Sequence, residues 1–107
     1  MDPYYVIRDA ILNKHSIVAQ YNGHVRELSP HVLGRKRGRD QALCYQYGGT
    51  SSSGPLAPSG SPDNWRCIAV LKLENVRVVP DVWHSAPHDT RPTTCVDVIE
   101  VEVANDA

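Results

Sequence analysis

A chain of 107 residues, 41% hydrophobic and 21% charged, has room for one modest core and the composition of an ordinary folded domain. Its formal net charge of -1 excludes the broad basic excess that draws a protein nonspecifically to nucleic acid or anionic membranes. No apolar run approaches the roughly 20 residues that span a bilayer, and the opening MDPYY lacks the basic and apolar regions of a secretory signal, so the sequence reads as cytoplasmic with no membrane partner.

Asp2 is placed to cap a helix and Pro3 suits its first position. Tyr4, Ile7 and Ile11 recur at helical spacing, with Val6, Ala10 and Leu12 widening the apolar face. The spacing predicts a helix over 2–13, stopping at Asn13, which is too short to hold without docking on a partner surface.

From His15 the period becomes two. In SIVAQY, Ile17, Ala19 and Tyr21 share one face, and Asn22-Gly23 supplies the positive backbone dihedrals of a two-residue hairpin turn. The returning strand HVREL is expected to end at Ser29-Pro30, because proline has no N–H for a ladder. Arg35, Lys36, Arg37 and Arg39 form a basic run that reads as a solvated loop. A third strand, ALCYQY, sets Leu43, Tyr45 and Tyr47 on one face. A fourth, WRCIAVLKL, is apolar at nearly every position, which predicts a central strand. VRVV at 76–79 continues it or forms a fifth strand after Glu74-Asn75. In CVDVIEVEV, Val96 and Val98 point one way and Ile99, Val101 and Val103 the other, a switch that predicts a bulge or strong bend near Val98.

Two irregular stretches interrupt the strands. Residues 48–64, GGTSSSGPLAPSGSPDN, read as a flexible insertion or a lid. Residues 80–94 form a proline-rich loop holding Trp83, His84 and His88. Cys44, Cys67 and Cys95 are odd in number and scattered, which argues against disulfides and suits reduced thiols; Cys44 and Cys67 lie in apolar runs and are expected to be buried. The order predicts a single, mainly β domain over 1–107: a helix, a core over 15–79, and a last strand over 95–103. Its sheet is a small β-barrel or a strongly bent antiparallel sheet.

The chemistry is sparse. His84, His88 and Asp89, with Cys95 nearby, could start a metal site for assisted hydrolysis, but Pro87 and Pro92 oppose the helix that would align the histidines. There is no nucleophile elbow, phosphate-loop lysine or seat for paired carboxylates, so no enzyme, metal or cofactor is assigned. What stands out is a basic and aromatic group on neighbouring strands. Arg26 shares a face with His24 and Leu28, Tyr45 and Tyr47 lie on the third strand, and Arg66 and Lys72 alternate with Ile68 and Val70. Guanidinium matches carboxylate and phosphate, and tyrosine stacks on rings; converging faces would make an anion site. In the plainer reading the tyrosines are core aromatics and the cations decorate an edge.

The order of a short helix, SIVAQY, HVRELSPHVLG, QALCYQYGG and WRCIAVLKLENV resembles the WYL domain over residues 4–79. Arg26 and Pro30 occupy its Arg-x-x-x-Pro segment, with His31 following. Leu43-Cys44-Tyr45 stands at the name-giving triplet, leucine replacing tryptophan. Arg66 and Lys72 stand near the later basic positions. The resemblance implies a free-standing Sm-like or SH3-like barrel that binds an anionic ligand, a nucleotide or single-stranded nucleic acid. Its site would comprise Arg26, His31, Tyr45, Tyr47, Arg66 and Lys72, and it would serve a partner regulator that carries the helix-turn-helix. The alternative is a non-catalytic interaction module, with CVDVIEVEV pairing to a second copy as a homodimer.

Overall fold

The computed structural model describes residues 2–52, 54–87 and 95–103. Helix α1 (Pro3–Asn13) begins where expected: the Asp2 carboxylate accepts from the Tyr4 N–H, and Lys14 closes the end in the left-handed region. Ile7, Ala10 and Ile11 are buried, while Leu12 points to solvent at the edge of the predicted face.

Six strands form one antiparallel sheet: β1 (Ser16–Tyr21), β2 (His24–Lys36), β3 (Arg39–Gly49), β4 (Trp65–Ala69), β5 (Glu74–Val79) and β6 (Val98–Glu102). Five lie in the order β4-β3-β2-β1-β5, and β6 pairs with β2. The sheet does not close, so it is an open sheet and not a barrel. One side-chain bridge spans the gap, the Tyr21 hydroxyl accepting from the Ala69 N–H of β4 at 3.0 Å. Asn22 and Gly23, with φ of 51° and 79°, make the predicted turn and set Ala19 opposite Arg26.

Four expectations give way. β2 does not stop at Ser29-Pro30 but runs for 13 residues, because its register with β3 shifts between Pro30 and Val32, and a bulge excuses the missing N–H. The basic run is therefore strand end and hairpin turn, with Arg35 paired to Asp40 and Glu100. The fourth strand is neither long nor central. It ends at Ala69 in a 3-10 turn over Val70–Lys72, and it forms a sheet edge whose apolar residues are covered by α1 and the hairpins. The bulge of the last strand falls at Glu100, between the pairs Leu33↔Val101 and Gly34↔Ile99, two residues beyond the point where the apolar pattern switches.

The helix covers one face of the sheet. There Ile7, Ala10, Ile11, Ile17, Ala19, Leu28, Leu33, Ala42, Cys44, Ile68, Val70 and Leu73 make the main core. The other face carries a smaller cluster of Val32, Leu43, Cys95 and Val96, with Trp65 against it. Cys67 and Cys95 form a disulfide across that face, their Cα atoms 5.5 Å apart. The expectation of reduced thiols thus holds only for buried Cys44. Strand pairing sets Cys67 at an exposed edge beside the approach of the last strand, a proximity that a separation of 28 residues does not announce. Among the described residues no helix is long and apolar enough to cross a membrane.

Candidate functional site

Strand alternation divides the six expected site residues. Leu28 pairs with Gln46 and Ser29 with Tyr45, and the register then shifts so that Gly48 faces Glu27 and Gly49 faces Arg26. Arg26 therefore shares the helix side with Ala19, Leu28 and Gln46. Arg66, opposite Cys44, joins it there. Tyr45, opposite Trp65 and Ser29, lies on the other side with Tyr47 and His31. Lys72 is exposed in the 3-10 turn and meets neither group. The guanidinium of β2 and the phenols of β3 do not open onto one hollow.

On the helix side Arg26 and Arg66 lie close enough for the charge of one to act on the other. Arg26 is only 3% exposed. Its Nε donates to the Tyr21 carbonyl at 3.3 Å, and its guanidinium carbon lies 5.0 Å from the centre of the Tyr21 ring, a cation–π contact. Arg66 Nε donates to Gln46 Oε1 at 3.2 Å, and its Nη1 donates to the carbonyls of Asp63 and Trp65 at 2.8 and 3.2 Å. Burial, and then the charge of Arg66, lower the pKa of Arg26. Among the described residues neither arginine forms an ion pair with a carboxylate. Among the described residues, both terminal nitrogens of Arg26 and the Nη2 of Arg66 have no acceptor.

Gln46 and Tyr21 build this site, and neither was singled out from sequence. Gln46 is fully buried, and its Nε2 donates to the carbonyls of Gly48 and Thr50, both at 2.9 Å, while its Oε1 aims Arg66. Tyr21 was legible: the two-residue turn puts it on the face of Ala19, diagonal to Arg26.

The opposite face is already filled. Tyr45 is wholly buried, its hydroxyl donating to the Ser61 carbonyl and accepting from the Gly60 N–H, both at 2.9 Å. Asn64, itself 2% exposed, holds that insertion together by bonding both the N–H and the carbonyl of Ala57. His31 sits between Trp65 and Trp83, ring centres 4.8 and 4.4 Å away. Its Nε2 lies 3.1 Å from the His84 carbonyl, which can only accept, so Nε2 carries the proton. Tyr47 stacks on the His84 imidazole at 4.1 Å; burial raises its pKa, against the lowering bond with Ser16. Ser29 accepts from the His84 N–H, and Ser16 donates to the Val82 carbonyl, so the loop after β5 is sewn to the sheet. These rings anchor loops; Tyr45 has no face left for a ligand.

Two hollows lie elsewhere. One of about 450 Å³ separates Pro3 and Val6 of α1 from Leu73, Asn75, Val76 and Val78. Another of about 330 Å³ is lined by Lys36, Arg37, Arg39 and Gln41 at the β2–β3 turn. No group of three metal-ligating side chains occurs among the described residues. Of the histidine-rich candidates, Cys95 is bonded to Cys67 and His84 stacks on Tyr47, while His88 and Asp89 lie outside the described residues. The strand expected to pair with a second copy is paired with β2 of its own chain, leaving Val98 and Ile99 59% and 47% exposed. Compared with known proteins, the chain matches no family model, no curated protein and no solved structure.

Proposed function

We propose that the chain is a non-catalytic binding module for a small anionic ligand, whose charged group is held by Arg26 and Arg66 where the ends of β1 and β2 approach β4. One observation carries this reading: two neighbouring guanidiniums, one nearly buried, keep three terminal nitrogens unused and have no carboxylate partner among the described residues. Like charges held near each other, one of them nearly buried, disfavour the folded chain unless an anion offsets them, and guanidinium forks suit phosphate or carboxylate oxygens. In the regulatory role that the resemblance to the WYL domain implies, occupancy would be read by a partner regulator. A nucleotide would bind through its phosphate, because Tyr45 is not free to stack on a base.

The test is thermal unfolding with phosphate, citrate or adenosine monophosphate against sodium chloride of equal ionic strength. At about ten times its dissociation constant, a bound dianion raises Tm by roughly 5 °C. Arg26→Met and Arg66→Met each lose that rise. An equal rise from sodium chloride, or an undiminished rise in both variants, overturns the reading.

A further inference from the structure

We propose that the Cys67–Cys95 disulfide is a reducible clasp on the C-terminal strand: a dithiol opens it through Cys67, and residues 95–103 come away while the helix-side core stays folded. The two ends of the bond differ. Cys67 is exposed at the outer strand β4, whereas Cys95 is 5% exposed and packs with Val32, Leu43 and Val96. A thiolate can therefore approach from the Cys67 side.

What the bond secures is a strand at the margin of the sheet. Residues 98–102 pair with one strand only, the second half of β2. Beside that ladder the Asp97 N–H donates to the Arg35 carbonyl and the Val103 N–H to the His31 carbonyl, both at 2.8 Å. Glu100 adds contacts to the Tyr4 hydroxyl and Arg35, both partly solvated and weak. None of the twelve buried residues of the main core comes from 95–103; Val101 and Val103 only rest against it, half-buried. Opening the clasp thus releases a strand, with Cys95 and Val96 of the smaller cluster, without emptying the main core, the pattern of local rather than global unfolding.

The exchange balances within the dithiol pair. One reductant thiolate attacks Cys67 Sγ, the S–S bond breaks, and Cys95 leaves as a thiolate that takes up a proton. The second reductant thiol then attacks the mixed disulfide and frees Cys67 as a thiol, so the protein gains two electrons and two protons while the dithiol becomes a disulfide. Cys44 takes no part, being fully buried beneath α1.

The test has two measurements on the full chain. Maleimide labelling of non-reduced protein in denaturant should tag one cysteine, Cys44; three tags overturn the proposal. Hydrogen exchange of native protein with and without dithiothreitol should show amides of 97–103, and those of 32–35 that face them, exchanging on the order of a hundredfold faster after reduction, with β1, its partner residues 24–28 of β2, and β3 unchanged. The double variant Cys67→Ser, Cys95→Ser should reproduce the reduced pattern with no reductant present. Unchanged exchange at 97–103, or a uniform loss of protection across the sheet, overturns it.

Discussion

Arg26 and Arg66 draw their geometry from groups that look inert in isolation. Gln46 is the hub: one amide fixes Arg66 and two carbonyls at the end of β3, so the site depends on a neutral buried side chain. Titration at this scale has a definite sign. Burial lifts the Cys44 thiol from its ordinary 9.0 to about 12, and lifts Tyr47 above 10.0. Between the ordinary and raised values the unfolded chain has lost a proton that the native chain keeps. The contribution is therefore full below pH 9 and declines as pH rises through the native values. Urea midpoints measured between about pH 8 and 10.5 should fall. Cys44→Ala should flatten that fall from its lower end and Tyr47→Phe from its upper end.

At the scale of elements, β2 organises the sheet. It lies against β3 along its length, and against β1 and then β6 on its other side. That second partner needs Gly34: a methyl there would lie 2.0 Å from the Val98 carbonyl oxygen and 2.4 Å from Val96 Cγ1. Gly38, at φ 77° in the turn, has nothing within 4 Å of such a methyl. Gly34→Ala should cost about 3 kcal/mol and loosen β6, whereas Gly38→Ala should cost about 1 kcal/mol of backbone strain, both read from urea unfolding. The helix and first hairpin were legible because Asp2-Pro3 and Asn22-Gly23 act locally. Pro30 misled because a bulge needs a partner strand that sequence alone does not display. WRCIAVLKL misled because an apolar run looks alike whether two strands cover it or a helix and hairpins do.

The whole molecule is a sheet between unequal layers, a helix-backed core and a loop-covered aromatic face. Ile7, fully buried in the larger layer, should lower global stability by about 2 to 5 kcal/mol as Ile7→Ala. Val96→Ala in the smaller layer should cost about 1 to 2 kcal/mol, with hydrogen exchange rising first in 97–103. The residue types of the site were visible in sequence, and Arg26 and Arg66 do come together. Their separation from Tyr45, Tyr47 and His31 was not visible, because one residue of bulge decides which side a strand presents. The aromatic face has a practical corollary. Trp65 and Trp83, the only tryptophans in the chain, flank the same imidazole, and α1 carries neither. Tryptophan emission, excited at wavelengths that tyrosine does not absorb, is thus an optical gauge of the loop-covered layer alone, and events confined to the helix side must be followed by far-ultraviolet dichroism.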